Sequence, residues 1–355
     1  MRATSLDCVP SERNVEPASE LTVGTDCSGI DSPIFALREL GIPHTHLFSS
    51  EVDENALKVI RSNCQPKMIY RDILERPVEK VPYVDLYITG PPCQSYSNMN
   101  IHKKKSDPRQ EVFETCIAYI DEHRPKCFIL ENVRAILSAE KGKVWQRISS
   151  DLDSMRDTYH WEHAILDACD YGCAQSRPRV FIVGIHRSLA PYIPWPAKLP
   201  LDHTCLDYLD EEVREGRKLP GTSCYLKMCD VWGIPRDTRC IVEFNGASRT
   251  CSPYKNPKPL TDKQKAAIAR TEIASCVVAH DPSPAALHLG RYLNPNEILK
   301  LQGHDPDKIR VPPTMSSLQF SSLVGNAMNG AVLKALLREL VPLLAKKEAC
   351  ANISS

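Results

Sequence analysis

Cys93 stands in the segment Gly90-Pro91-Pro92-Cys93-Gln94-Ser95, directly behind the apolar run Val84-Asp85-Leu86-Tyr87-Ile88-Thr89. A strand ending in a Gly-Pro-Pro turn presents one thiol at the carboxyl edge of a sheet, where open α/β folds bind ligands. Once ionised, a thiol is a strong nucleophile, and a turn that fixes its backbone aims it. Glu131 follows another apolar run, Cys127-Phe128-Ile129-Leu130. A carboxyl group there suits acid work on whatever Cys93 attacks, because partial burial raises its pKa toward neutrality. Arg177 and Arg179 alternate into the run Val180-Phe181-Ile182-Val183, so both point the same way and could hold a carbonyl oxygen, a phosphate or a carboxylate.

A second group of residues suits a small polar ligand. Thr25-Asp26-Cys27-Ser28-Gly29-Ile30 is a small-residue turn between a strand and a helix, a place where backbone amides approach a cofactor; the plain alternative is an ordinary tight turn. Glu51 lies 22 residues beyond Gly29, about where the dinucleotide fold places its ribose-binding acid. Asp72, after Ile69-Tyr70, is a third acid at the same edge and could accept from an adenine amino group.

These residues need elements to hold them. Strands are expected at Leu21–Val23, His46–Phe48, Val84–Thr89, Cys127–Leu130, His163–Leu166 and Arg179–Ile185. Helices are expected at Ser32–Leu40, Glu54–Asn63, Glu111–Glu122 and Val144–Met155. The alternation predicts a mostly parallel sheet with helices on both faces, a Rossmann-like architecture. From Arg187 to Leu289 proline, cysteine and short mixed segments predict an irregular second lobe. Regularity returns at Asn296–Gln302 and over Ser322–Leu344, where Val332, Leu333, Leu336, Leu337, Leu340 and Leu344 recur at helical spacing and predict core packing. The expected organisation is a flexible tail over 1–20, a catalytic core over 21–187, a recognition lobe over 188–290, a return segment over 291–345 and a second tail over 346–355.

With 355 residues, 42% hydrophobic and 25% charged, the chain has the composition of a globular protein. No run approaches the roughly 18 apolar residues of a membrane span, and the polar start with Glu12, Glu16 and Glu20 lacks the apolar core of a signal peptide. Fifteen cysteines, an odd number, predict free thiols in a reducing compartment. The formal net charge is zero, yet Arg214 to Arg270 holds twelve Lys/Arg against five Asp/Glu. That lobe either binds phosphates or is a solvated lysine-rich surface. Cys224, Cys229, Cys240 and Cys251, with His203 and Cys205, lack paired Cys-x-x-Cys knuckles, so no metal is expected.

In this order, the motifs resemble the cytosine-C5 DNA methyltransferases. The resemblance covers about Leu21 to Arg187 and resumes from Arg291 to Leu344. It rests on Gly90 through Ser97, Asp107-Pro108-Arg109, Glu131-Asn132-Val133, Gln175 through Arg179, Arg291 with Glu297, Leu301-Gln302-Gly303 and Gly325-Asn326-Ala327. The resemblance implies that Cys93 adds to C6 of a cytosine flipped out of the helix, and that Glu131 holds and protonates N3. Arg179 would contact the O2 carbonyl, with Arg177 supporting it or a phosphate. S-adenosyl-L-methionine would lie against Asp26, Cys27, Ser28, Gly29, Ile30, Glu51, Val52, Asp72, Ile73, Pro91, Asn326 and Ala327. Gln94, Ser95, Ser97, Lys103, Lys104, Lys105 and Arg109 would sit in a loop that closes over double-stranded DNA, although the three lysines also fit a solvated charge run. The enzyme would act as a monomer away from membranes, in a nucleus if eukaryotic and otherwise in the cytoplasm.

The chain departs from the family pattern in four places. Thr25-Asp26-Cys27 stands where Asp-Leu-Phe is usual, and Asp31-Ser32 replaces a common pair of glycines. Ala174 stands where proline is common, and His304 where an aromatic is usual. Three alternatives share some of these residues. A tRNA-methylating branch has the same fold but typically carries a Cys-Phe-Thr tripeptide that is missing here. A catalytically silent DNA-binding regulator would lack the nucleophile or the acid. A cysteine hydrolase would need a histidine at a strand end.

Overall fold

The computed structural model describes residues 20–92, 109–213, 217–219, 224–242, 260–278 and 284–345. Cys93, Gln94, Ser95, Ser97, Lys103, Lys104 and Lys105 lie outside these, as do Cys251 and the two expected tails apart from Glu20. Seven described strands form the main sheet: β1 (Leu21–Asp26), β2 (His44–Ser50), β3 (Met68–Tyr70), β4 (Leu86–Thr89), β5 (Cys127–Val133), β6 (Tyr159–Leu166) and β7 (Arg179–His186). Their order is β3-β2-β1-β4-β5-β7-β6. Strands β1 to β5 pair in parallel, and β7 runs antiparallel to both β5 and β6. This is the mostly parallel, Rossmann-like architecture that the strand–helix alternation predicts.

The strand sequences explain why both faces of the sheet are covered. In β4, Leu86 and Ile88 enter one apolar cluster and Tyr87 the other; in β5, Cys127 and Ile129 oppose Phe128 and Leu130. Near-continuous apolar runs of this kind belong to strands buried on both sides. One face is packed by α1 (Ser32–Glu39), α2 (Glu54–Asn63) and the C-terminal helices, the other by α3 (Arg109–His123) and α4 (Lys143–Asp153). Helix α2 starts where the Asp53 side chain accepts from the amides of Asn55 (2.7 Å) and Ala56 (3.1 Å), which satisfies two donors that a helix end leaves free.

Two expectations change. The regularity over Ser322–Leu344 is two helices, Ser317–Asn326 and Gly330–Leu344. Ala327 is extended, and the Asn329 side chain accepts from Ala331 and Val332 amides to start the second helix. That helix packs on α1 and buries Val332, Leu333, Leu336, Leu337 and Leu340 to 1% exposure or less, at about 2 kcal/mol each. The second lobe is less irregular than its composition suggests. The two-residue strands Ile241–Val242, Ala269–Arg270, Ala285–Ala286 and Arg291–Tyr292 form a second sheet over a small core around Trp232. Strands that short leave no periodicity to read.

Arg291 ties this lobe to the main body. Its buried guanidinium donates to both Glu297 carboxylate oxygens at 2.8 Å and to the Asp210 and Val213 carbonyls.

Candidate active site

The parallel strands end together at one edge, and the site residues collect there. Strand β5 is three residues longer than its apolar run. Its parallel pairing with β4 stops at Leu130, and the antiparallel partner β7 carries it on through Val133. Glu131 therefore lies within the strand, across from Phe181, while Val133 faces Arg179. The reversal of β7 matters, because it delivers the start of β7 to the same edge as the end of β5. Arg179 Nε sits 3.3 Å from Glu131 Oε1.

The turn leading to Cys93 abuts this pair. A Cβ on Gly90 would fall 3.6 Å from Glu131 Oε2 and 2.9 Å from Met328 Cε, so a residue without a side chain allows the close approach. Asn132, 2% exposed, donates from Nδ2 to the Pro91 carbonyl at 3.2 Å and fastens the turn to the strand of the acid. Burial pushes the Glu131 carboxyl above its ordinary range, and the charges of Arg179 and Arg177 pull against that shift. A carboxyl group held this way keeps a proton nearer neutrality than a free one.

Arg177 is placed differently from Arg179. It is 3% exposed, and its guanidinium donates to Val277 O (2.8 Å), Gly325 O (3.1 Å) and Ala327 O (2.9 Å). Its burial leaves no surface for a DNA phosphate. It holds in place the chain that carries Asn326 and Ala327. Asn326 is exposed at the end of its helix, and Ala327 is buried.

The turn after β1 is a dense polar knot. Ser28 donates its amide to Ser50 O at 3.1 Å, and its hydroxyl lies 2.8 Å from Thr25 Oγ1. Gly29 N donates to Glu51 Oε2 at 2.7 Å, and Asp53 N to Glu51 Oε1 at 2.9 Å. Burial raises the pKa of Glu51 against these amide bonds. Glu51 N in turn donates to Tyr70 O at 3.1 Å, which brings the ends of β2 and β3, and hence Asp72 and Ile73, to the same corner. Asp72 accepts from Leu74 N at 2.9 Å; Val52 is 63% exposed and Ile73 buried. Ile30 is buried as well.

Asp26 points away from this corner. Its carboxylate is paired with Arg76 and accepts from the Tyr87 hydroxyl at 2.6 Å, fully buried. Cys27 has a left-handed backbone (φ 49°), and a hydrogen bond to Cys116 together with burial raises its thiol pKa. Both therefore shape the turn from beneath. Arg109 opens α3; its side chain lies outside the described residues.

The corner suits an adenosyl group on its own geometry. A Cβ built on Gly29 would meet nothing within 4 Å, so the backbone there faces open space. The acid beside it, Glu51, is held by backbone amides at a strand end, a fitting acceptor for ribose hydroxyls.

Sequence reasoning missed Cys276, whose sulfur lies 3.1 Å from Arg177 Nη1 and 3.4 Å from Arg179 Nη2. A single cysteine nearly a hundred residues away in an irregular lobe carries no signal by which to find it. It also missed His46 and Ser49, which face Asp31 beneath the turn, because serine and histidine in a strand read as surface. No group of three or more metal-ligating side chains occurs among the described residues.

The chain matches the C-5 cytosine-specific DNA methylase family over residues 27–342 and belongs to it. It is thus a methyltransferase of the DNA cytosine-C5 class. Type II methyltransferase M.DsaV of Dactylococcopsis salina is 25% identical over 297 residues, covering 83% of this chain and 79% of that protein. Type II methyltransferase M1.ScrFI of Lactococcus lactis subsp. cremoris is 25% identical over 305 residues, 85% and 73% of the two chains. Among solved structures, Entamoeba histolytica methyltransferase EhMeth shares the fold with a TM-score of 0.63 at 19% identity, covering 93% of this chain and 100% of that one. Spodoptera frugiperda DNMT2 does so at 0.61 and 16%, covering 92% and 100%. The two curated relatives are bacterial and give the nuclear expectation no support. No described helix is long and apolar enough to cross a membrane.

Proposed function

We propose that this protein transfers the methyl group of S-adenosyl-L-methionine to C5 of a cytosine flipped out of double-stranded DNA, through a covalent bond between Cys93 and C6. The observation that carries the reading is the half-buried Glu131–Arg179 pair, 3.3 Å apart, against the Gly90–Pro92 turn that leads into Cys93. The Cys93 thiolate adds to C6, and the displaced electron pair moves toward C5 and N3. Glu131, protonated, donates to N3 as charge builds there, and Arg179 holds the O2 oxygen. Bound S-adenosyl-L-methionine would supply the methyl for C5 and leave as S-adenosyl-L-homocysteine; Ser28, Gly29, Ile30, Glu51, Val52, Asp72, Ile73, Pro91, Asn326 and Ala327 would hold it. Loss of the C5 proton then expels the Cys93 thiolate.

The residues Gln94, Ser95, Ser97, Lys103, Lys104, Lys105 and Arg109 belong, on this reading, to the DNA-facing side, and the protein acts as a monomer. The domain division at 187/188 and 290/291 follows the same reading, with the lobe between them reading the DNA.

The test is transfer of labelled methyl groups to unmethylated duplex DNA and, separately, to total tRNA, with Cys93→Ala beside both. The expected product is 5-methylcytosine in DNA, lost in the variant. Label in tRNA alone would move the protein to an RNA substrate, and label in neither would overturn the reading.

A further inference from the structure

The reaction leaves one buried charge beneath the cofactor corner unused. Arg76, in the loop after β3, is 7% exposed. Its Nη2 donates to Asp26 Oδ2 at the end of β1, and its Nη1 donates to Ser50 Oγ at the end of β2, at 2.9 Å. The Tyr87 hydroxyl of β4 donates to the same Asp26 oxygen at 2.6 Å. The guanidinium carbon lies 5.0 Å from the centre of the Tyr70 ring, 5.3 Å from that of Phe48 and 5.9 Å from that of Tyr119 on α3, within reach of an attraction between cation and ring. Burial opposes the Arg76 charge, but pairing with Asp26 outweighs it and raises the pKa.

Two of these contacts reach the peptides that shape the corner. Ser50 O accepts from the Ser28 amide at 3.1 Å, and Ser50 N donates back to Ser28 Oγ at 3.2 Å. Tyr70 O accepts from the Glu51 amide at 3.1 Å, and Glu51 Oε2 accepts from the Gly29 amide at 2.7 Å. Arg76 therefore touches the side chains of the two residues whose backbones hold Ser28 and Glu51. A buried ion pair is weak evidence of stabilisation, because apolar residues of similar volume often serve as well or better. What a planar guanidinium adds is direction, since its donors are fixed relative to one another.

We propose that Arg76 is a positioning residue of the reaction: paired with Asp26 and bonded to Ser50, it fixes the Ser28 and Gly29 amides and the Glu51 carboxyl group in the arrangement that takes S-adenosyl-L-methionine. The inference rests on the place given to the cofactor above. Without the guanidinium, the ends of β2 and β3 keep their backbone bonds but lose the one side chain that sets them against β1.

Two experiments test this. The first is kinetics. Arg76→Met alone leaves Asp26 buried and unpaired, so it is combined with Asp26→Asn, which removes both charges and keeps an acceptor for Tyr87. The double variant is expected to melt within about 5 °C of wild type. Its KM for S-adenosyl-L-methionine should rise about tenfold, with kcat kept within about twofold. Ser50→Ala, which removes only the acceptor of Nη1, should raise that KM about threefold. A wild-type KM in the double variant overturns the proposal; should that variant not fold, a wild-type KM in Ser50→Ala does so.

The second is hydrogen exchange of the cofactor-free protein, resolved to single amides. The Ser28, Gly29 and Glu51 amides should exchange about tenfold faster in both variants, and those of the second lobe at the wild-type rate. Unchanged exchange at the three amides overturns the proposal whatever the corner binds. Faster exchange there, in a protein that does not bind S-adenosyl-L-methionine, supports the role of Arg76 in the corner and counts against the functional reading instead.

Discussion

Thr25 Oγ1 donates to Asp31 Oδ1 at 2.7 Å, inside the turn where the chain departs most from its family. The usual Asp-Leu-Phe has lost its acid at position 25, and an acid stands at 31 where glycine is common. Asp31 has a left-handed backbone (φ 67°), the region that glycine enters without strain, and its other oxygen accepts from Ser49 Oγ at 2.7 Å. The next departure is matched as well: Ser32 Oγ lies 3.1 Å from Nε2 of His304, which stands where an aromatic is usual. Thr25 with Asp31, and Ser32 with His304, are thus bonded pairs that hold the turn.

Thr25 and Asp31 should therefore be strongly coupled. Thr25→Ala and Asp31→Asn are each expected to destabilise by about 1–3 kcal/mol, and the double variant by less than their sum. Asn tolerates the left-handed backbone, so the loss reports the hydrogen bonds and not strain. Urea unfolding of the four proteins measures the coupling; strict additivity would break the link.

Stability should respond to pH in opposite senses at two carboxyls. Glu131 has a folded pKa raised from 4.5, so its contribution is present below 4.5 and is lost as pH rises through the folded value. Unfolding of Glu131→Gln against wild type should show the variant gaining relative stability as pH climbs above 4.5. Burial pushes Glu39 up, but the His304 ring 3.8 Å away and hydrogen bonds from Lys334 and the Asp305 amide bring it down to about 2. Its contribution, about 3 kcal/mol, is present above 4.5 and lost as pH falls toward 2. Glu39→Gln should remove that acid-side loss.

The two site arginines should separate under substitution by lysine. Arg177→Lys strands three carbonyls in two segments and is expected to cost about 3 kcal/mol of stability. Arg179→Lys should cost less than about 1 kcal/mol of stability but about a hundredfold in kcat. Thermal unfolding beside methyl-transfer rates distinguishes the two; equal losses of stability would contradict the difference in placement.

Gly303→Ala should be among the most damaging small changes. Gly303 has φ +72°, and an added Cβ would meet Ala331 N at 2.5 Å, a backbone atom in the first turn of the last helix. The expected loss is about 3 kcal/mol or more. Gly172→Ala, with φ +76° and nothing within 4 Å, isolates the backbone strain and should cost about 1–2 kcal/mol. Their difference in Tm measures the clash.

Much of this was legible in the chain. The apolar runs locate β4, β5 and β7 because strands buried on both faces need unbroken apolar sequence, and the acids at 51, 72 and 131 fall where strands end. The misreadings have physical causes. Glu131 reads as lying just past the strand end because a polar side chain ends the apolar run, although β7 extends the ladder past it. Ser322–Leu344 reads as one helix because the break at Ala327 is made by a side-chain cap and not by a proline. Asp26 reads as a ligand because nothing local reveals Arg76, fifty residues on, as its partner. Cys276 is invisible for the same reason: only folding brings it to the arginines.

That dependence on distant partners has a consequence for the chain while it is being made. Arg177 finds its acceptors 148 and 150 residues further along, and Ser32 meets His304 after 272. At about 5–20 residues per second of synthesis, the arginine waits on the order of ten seconds or more for its partners, and the first turn longer still. A nascent chain that has already exposed Cys93 and Glu131 still lacks the Gly325 and Ala327 carbonyls that hold Arg177. The sheet edge is thus made long before the contacts that close over it, and the first turn waits longest, for His304.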